Sequence, residues 1–412
     1  MRRIIAFFVT LTLVFVLGSC ALRPIDGEPV SSDSTEPAGN LINNDGETDK
    51  STTGSNSDDT EPVPDVKKTV SFVGCGDNIV YYGTYRDAKA QAVSGGREYN
   101  FRPMYSNVES IISGADLAFI NQETVISHSF PPESYPGFNS PVDLADDLVD
   151  VGFDIICVAN NHMLDKGALG LRDTYDNWNK RPVTLIGCHE ENDSGKYVTY
   201  VEKNGIKIGL VAYTYGTNLG EDPAKYGLYA SYLKYADIEG ELAEAKANSD
   251  FVIVSVHWGD EGKNAPNDEQ KMYAQKFADN GADVIIGHHP HTLQPIEWIE
   301  GKNGNRTLCV YSLGNFLHEQ EYEYQVPGGI ISFDIVKIND NRATVDNVKF
   351  IPTVCHYPSN FYNNKIYLLK DYTAELANAH AVRTYYGNRI SLEGIISLVK
   401  KTISEEFLEG DF

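Results

Sequence analysis

The sequence predicts a layered α/β domain, with helices packed against mixed or parallel sheets, standing behind a disordered tether. Two patterns predict the domain: short β-branched or aromatic runs suited to buried strands recur from about Thr69 onward, and helical patterns fall between several of them. A third predicts the tether, because residues 21–66 are rich in Ser, Thr, Asp, Glu, Asn, Gly and Pro and hold almost no aliphatic cluster.

The chain opens with Arg2 and Arg3 ahead of an apolar run, Ile4 to Leu17, of about fourteen residues. That length suits the core of a signal peptide better than a membrane span, which needs roughly twenty. The run ends in Leu17-Gly18-Ser19-Cys20, and small residues before a Cys, with Leu three positions upstream, resemble the lipobox of bacterial lipoproteins. The resemblance implies that residues 1–20 are a lipoprotein signal cut before Cys20, whose thiol and amine become acylated. An ordinary cleaved signal with an incidental Cys, or an uncleaved anchor, is the alternative. Residues 21–66 then set eleven acids against Arg23 and Lys50. Such a segment cannot bury enough apolar surface to offset its ordering entropy. It reads as an extended tether between an anionic membrane and an exported domain on the extracytoplasmic side.

The folded part is expected over residues 67–350. Its strand-like runs are TVSFVGC, DLAFIN, FDIICVAN, IKIGLVAYT, FVIVSVHW, DVIIGHH and TLCVYSLGNF. Helical patterns cover Met104 to Ser113, Val142 to Val151, Ala168 to Asn179, Asp237 to Ala247 and Asn267 to Asn280. GGIISFDIV and RATVDNVKF have no helix between them and read as antiparallel additions. Residues 351–412 read as a Tyr-rich helical extension packed on the domain.

A net charge of −24 argues against nucleic acid as a partner, since it repels phosphate backbones, although part of that charge sits in the tether. Hydrophobic and aromatic fractions of 42% and 11% are those of a globular protein. Beyond Cys20 there are five cysteines, an odd number with no CxxC spacing, so a disulfide framework or zinc knuckle is not expected. They read as small core residues.

The polar motifs share one position, each following immediately on an apolar run. Asp77 follows SFVGCG, Glu123 follows LAFINQ, and Asn160-Asn161-His162 follows IICVA. His257 closes FVIVSV, His288-His289-Pro290-His291 follows DVIIG, and Asn315 follows VYSLG. A lone Asp after a strand is ordinarily a turn or a cap, and a lone buried His is ordinarily packing. Six such positions in one domain point instead to a ligand site at the carboxyl ends of the strands, where distant segments converge. Carboxylates, imidazoles and amide oxygens are the donors that hold hard or borderline divalent cations. Two His residues flanking Pro290 can reach one site from a turn.

In that order, Gly76-Asp77, Asn121-Gln122-Glu123, Ala159-Asn160-Asn161-His162 with Asp165 and Gly167, His257-Trp258-Gly259-Asp260-Glu261, Gly287-His288-His289-Pro290-His291 with Gln294-Pro295, and Ser312-Leu313-Gly314-Asn315-Phe316 resemble the motif series of the CapA family of poly-γ-glutamate capsule biosynthesis proteins. The resemblance covers roughly residues 69–320. That family is similar in turn to calcineurin-like metallophosphatases, which implies a two-sheet β-sandwich flanked by helices. Carried over by position, the resemblance implies metal ligation by Asp77, Glu123, Asn161, His257, His289 and His291, with His162 as the acid that protonates a leaving oxygen. Asp165 and Glu261 would orient ligand imidazoles, His288 would line the site, and Asn315 would anchor a turn. Trp258 is a site wall or a core residue. One or two divalent ions (Mn, Fe, Zn or Mg) are implied, acting on a phosphorylated substrate or an anionic polymer. The pattern departs from metallophosphatases at Ile79, where a His usually stands two residues after the first Asp, and at Glu123, where an Asp is usual. Gln122 differs from the Leu common in CapA proteins. These departures leave one ion or a weakly held pair.

The function expected is that of an envelope-anchored CapA-like protein of capsule or polyglutamate synthesis or export, with a phosphoesterase-type site. The alternative is a non-catalytic accessory or polymer-binding subunit of a membrane polyglutamate synthase. A solute-binding lipoprotein needs no such His/Asn set. Neither a Gly-rich phosphate loop nor a GxSxG elbow occurs in the sequence.

Overall fold

The computed structural model describes residues 65–94, 96–190, 197–410 and 412. Cys20, the signal segment and nearly all of the tether lie outside them. In chain order the strands are β1 (Lys67–Asn78), β2 (Leu117–Gln122), β3 (Ile155–Cys157), β4 (Thr184–Ile186), β5 (Cys188–Glu190), β6 (Thr199–Lys203), β7 (Ile206–Thr214) and β8 (Leu228–Ala230). They continue with β9 (Phe251–His257), β10 (Val284–His288), β11 (Ile296–Glu300), β12 (Arg306–Val310), β13 (Asn315–Leu317), β14 (Pro327–Ile338), β15 (Thr344–His356) and β16 (Lys365–Leu368).

Two sheets carry most of them. One runs β16-β15-β14-β1-β2-β3-β4, with β13 beside the end of β1, and the other runs β11-β12-β10-β9-β7-β6. Each has a parallel centre, β1 to β4 in one and β7, β9, β10 and β12 in the other. Antiparallel strands extend them, β14 and β15 as expected from the sequence.

Side-chain alternation divides the second sheet between two cores. Ile253, Val284, Ile286, Leu308 and Val310 join Phe72 and Phe119 of the first sheet in the larger core. Val252, Val254, Val256, Ile285 and Cys309 face outward, packed with Leu242 and Ala245 of the helix Ile238–Asn248 and with Ala274 and Phe277 of the helix Asp268–Asp279. The sheets therefore lie face to face, and a β-carbon on Gly74 of β1 would meet Ile286 of β10 at 3.4 Å. This is the helix-flanked two-sheet sandwich that the resemblance implied. Cys75, Cys157, Cys188, Cys309 and Cys355 are all free and buried, as small core residues.

Helix boundaries follow local chemistry. Asn267 and Gln270 form a reciprocal capping box on the helix Asp268–Asp279, close to the expected start. The expected helix over 104–113 is two short ones, Arg102–Tyr105 and Glu109–Ser113. Residues 351–412 differ more from expectation. β15 runs through position 350 to His356, and β16 adds an edge strand before the helices Ala374–Ala379, Ala381–Thr384 and Leu392–Thr402. The end of β15 is buried on both faces, which erases the alternation by which a strand is read.

Candidate metal centre

Parallel strands deliver their carboxyl ends to one edge of each sheet, and the sandwich places the two edges together. Asp77 is the next-to-last residue of β1, opposite Asn121 of β2 and Asn315 of β13. His257 closes β9, opposite Thr214 of β7 and His288 of β10. Glu123 follows β2, and its backbone N–H donates to Asn78 O at 3.1 Å. Close backbone approach is part of the arrangement. A β-carbon on Gly76 would lie 2.1 Å from Gly314 O, and one on Gly287 would lie 2.0 Å from Tyr311 O. His289 and His291 flank Pro290 with positive φ of 97° and 54°, an unfavourable conformation held by the surrounding structure.

Asp77 is fully buried and heavily partnered. Its Oδ1 accepts from Asn121 Nδ2 at 2.9 Å and from His288 Nδ1 at 3.2 Å. Its Oδ2 lies 3.2 Å from His291 Nδ1 and 3.3 Å from the His289 backbone N–H. Glu123 is its opposite, fully buried with neither carboxylate oxygen hydrogen-bonded. Its Oε1 stands 3.6 Å from His291 Nε2 and 3.7 Å from His257 Nε2. His257 Nε2 also lies 2.9 Å from Asn161 Oδ1. His257 Nδ1, His288 Nε2, His289 Nδ1 and Asn121 Oδ1 are likewise buried without a partner. Unsatisfied polar atoms in such number mark a site shaped for something more than the protein itself.

Burial and partners pull the two carboxyls apart. Burial pushes Asp77 up, but the imidazoles of His288 and His291 outweigh it and hold the group well below the usual carboxylate range. Glu123, driven up by burial, stands well above that range. Burial opposes the charge on His291, yet Glu123 and Asp77 prevail and push it up to about 9. His289 is pushed down to about 3 by burial and by His291, and His257 is also held down by burial and by His289.

Among the described residues, two sets of donor atoms could hold a cation. Ligand atoms of Asp77, Glu123 and His257 lie within 4.8 Å of one another, as do those of Glu261, His289 and His291. Spacings of 2.9 to 3.7 Å between neighbouring donors suit adjacent ligands on an ion held at about 2.0–2.3 Å. Glu261 thus comes nearer the centre than an orienting residue. Asp165 accepts from His162 Nδ1 at 2.7 Å, which leaves Nε2 of that ring for chemistry. His288 reaches Asp77 and stacks on Phe119 at 5.6 Å. Asn315 accepts from His291 Nδ1 at 3.0 Å and donates to the carbonyls of His291 and Gln325, so it fixes both ring and turn. Trp258 is a core residue, donating to Tyr311 O at 2.9 Å.

Asn218 escaped the sequence reading. It lies 3.3 Å from His162 Nδ1 and 3.4 Å from Asn161 Nδ2. It stands four residues past β7, in a loop that carries no motif, so the strand-end rule did not reach it. The centre opens into a cleft of about 550 Å³ whose lining includes Ile79, Tyr81, Phe138, His162, Glu261 and His291. Ile79 therefore presents an apolar wall to the cleft.

Residues 71–320 match the family described as Bacterial capsule synthesis protein PGA_cap. The PGA biosynthesis protein CapA of Bacillus subtilis (strain 168) is 30% identical over 252 residues, covering 59% of this chain and 63% of that one. The capsule biosynthesis protein CapA of Bacillus anthracis is 31% identical over 204 residues, covering 48% and 47%. A probable polyglutamine synthesis accessory protein of Mycobacterium tuberculosis is 25% identical over 228 residues, covering 51% and 57%. The chain thus spans less than two thirds of the length of each of these relatives. Among solved structures, the NAD nucleotidase of Haemophilus influenzae aligns with a TM-score of 0.44 at 12% identity, covering 83% of this chain and 57% of that one. A putative 5'-nucleotidase of Staphylococcus aureus aligns at 0.43 and 16%, covering 69% and 54%.

Proposed function

This chain belongs to the bacterial capsule synthesis protein PGA_cap family, and from that premise we propose that it is an envelope-anchored, metal-dependent hydrolase-like protein of capsule polymer synthesis or export. The observation that carries the metal is Glu123: a fully buried carboxylate with both oxygens unpartnered, faced by His257 and His291. A buried carboxyl whose oxygens make no hydrogen bond, with two imidazole nitrogens facing it, is a donor set suited to a divalent cation. Asp77, Glu123, Asn161, His257, His289 and His291 would hold one or two divalent ions, with Glu261 on the solvent side. A bound divalent ion supplies Lewis-acid charge for a phosphoryl or carbonyl oxygen and acidifies water.

The remaining roles belong to the protein. Asp165 fixes the ring of His162 and supports a proton on Nδ1, so Nε2 is the atom that delivers a proton to a leaving oxygen. Asn121 and His288 hold the Asp77 carboxylate in its ionised form. On the sequence side, the lipobox-like Leu17-Gly18-Ser19-Cys20 supports a lipid anchor with the domain outside the cell membrane. Among the described residues no helix is long and apolar enough to cross a membrane.

Elemental analysis of the purified protein should find Mn, Fe, Zn or Mg at one or two equivalents. No metal after reconstitution overturns the proposal. His162→Ala should retain the metal while losing turnover by roughly 100-fold or more. Loss of metal in that variant, with the fold intact, would make His162 a ligand instead.

One relative favours a second reading, since the Mycobacterium tuberculosis protein is named an accessory protein of polymer synthesis. Here the domain binds or guides polymer for a membrane synthase without turnover, and Ile79 in place of a donor fits that role. Polymer output that survives His162→Ala but fails in Asp77→Asn, with synthase association retained, would select it.

A further inference from the structure

We propose that a pocket at the far edge of the second sheet, opposite the metal centre, binds an extended chain of carboxylates. This site goes beyond the proposed function and needs neither metal nor turnover.

The pocket has a volume of about 450 Å³, and its lining includes Lys246, Asp283, Trp298, Arg306, Arg342 and Val345. A volume of that size holds small ligands. Its place follows from the strands. Asp283 immediately precedes β10, whose other end is His288, so pocket and metal centre stand at opposite ends of one strand, roughly 16 Å apart by strand rise. Arg306 opens β12, Trp298 lies on β11 beside it, Arg342 comes from the turn between β14 and β15, and Val345 from the start of β15. Lys246 lies in the last turn of the helix Ile238–Asn248.

Charge separates this pocket from the rest of the molecule. The chain carries −24, yet here three cations face one acid. That acid is already committed, because Asp283 Oδ2 accepts from Arg342 Nη2 at 2.7 Å and from the Val252 N–H at 2.8 Å. Arg342 is committed with it, and its Nη1 also lies 3.3 Å from Ser249 O, which ties the end of the helix to the sheet. Two cations remain for a ligand. The exposed Lys246 ammonium makes no hydrogen bond among the described residues and feels Asp283 only through its field. The Arg306 guanidinium stacks over the Trp298 ring at 4.6 Å, which orders its planar fork. Its ion pair with Glu300, at 3.2 Å, joins side chains 57% and 70% exposed, and a pair so open to water is worth little. A ligand carboxylate can displace Glu300, since the fork matches both of its oxygens. The floor adds the second requirement. Trp298 and Val345 are half-buried and pack on the larger core, so apolar surface lies between charged groups. A compact inorganic anion would use the cations alone, whereas carboxylates strung on methylenes use cations and floor together.

The tryptophans supply a local readout. Trp178 and Trp258 are 0% and 2% exposed, so of the three in the chain Trp298 is the one a ligand can reach. The test is titration of the whole chain, metal-stripped, with tetra-γ-glutamate, tripolyphosphate and tetralysine, followed by calorimetry and tryptophan fluorescence. Tetra-γ-glutamate should change the fluorescence and bind at least about threefold more tightly than either other probe. Arg306→Ala and Lys246→Ala, at exposed positions, should each weaken it about 5–10-fold with the melting temperature unchanged. Trp298→Phe should abolish the fluorescence change while the calorimetric affinity stays within about threefold. The proposal falls if tetra-γ-glutamate does not bind, if tripolyphosphate or tetralysine binds as tightly, or if both cation variants keep the full affinity. It also falls if the fluorescence change survives Trp298→Phe, which would place the ligand elsewhere. Binding here by a chain that takes up no metal would overturn the metal reading alone, and metal uptake without this binding would overturn the pocket alone.

Discussion

Two groups of buried histidines can be compared within this molecule. At the strand ends, His257, His288, His289 and His291 surround Asp77 and Glu123, and several of their nitrogens have no partner. The other group is His318, His356 and His380. His380 bonds Cys355 O at 3.0 Å and accepts from the Val382 N–H at 3.1 Å, capping the helix Ala381–Thr384. His318 contacts Val326 O at 3.4 Å and accepts from the Gln320 N–H at 3.0 Å, while His356 bonds Tyr372 Oη at 2.9 Å. Burial pushes these three down to about 3, 4 and 3 for His318, His356 and His380, so they are neutral packing residues. Burial alone therefore does not mark a ligand. Carboxylates among the rings and donor atoms left unpaired do.

The largest effect expected from that contrast is in Asp77→Asn, which should weaken metal binding by more than about 100-fold, since even residues behind the ligands are worth 10–100-fold. Competition with a chelator measures it, and metal retention in Asp77→Asn would erase the distinction between the groups. Next comes Glu319, the acid beside His318, whose carboxyl burial pushes up to about 7 from 4.5. Below 4.5 folded and unfolded chains are both protonated and this group's contribution to stability is whole. As pH rises toward 7 the unfolded chain releases its proton first, and stability falls by roughly 3 kcal/mol. Glu319→Gln should remove that slope in denaturation measured from pH 4.5 to 7.5, and an unchanged slope would locate it elsewhere.

His380→Ala should cost about 1–3 kcal/mol, because it strands Cys355 O and the Val382 N–H, and should leave metal content unchanged. Metal loss in this variant would join the two groups into one. The smallest effect is a gain: Ile79→His should raise the metal found per chain, at a stability cost of about 1 kcal/mol. Equal metal content in the two proteins would show that position 79 does not limit the site.

Much of this contrast was legible before the structure. The strand-end rule found the carboxylates, imidazoles and Asn161 because parallel strands must deliver their ends to one edge. It did not separate Asn160 from Asn161. Asn160 spends its amide on Gln122 O and on the His162 N–H, a local role that adjacency in sequence does not reveal. Asn218 was missed because its loop carries no motif of its own. The long reach of Glu319 to Gly83, 236 positions apart, is a tertiary fact with no periodic trace. β16 was lost because a four-residue edge strand is too short to show a period.

The glycines that precede Asp77 and His288 carry a consequence for anyone who would move this site. Each marks a place where two backbones touch with no room for a methyl group, Gly76 against Gly314 and Gly287 against Tyr311. The ligand constellation is thus a property of strand spacing as much as of side chains. Grafting the six donor residues onto another α/β scaffold would reproduce the letters of the motif and not its distances, unless the host strands already converge to glycine width. In a homologue that has exchanged either glycine for alanine, the Asp or His next to it should be read as a relic rather than as part of a metal site.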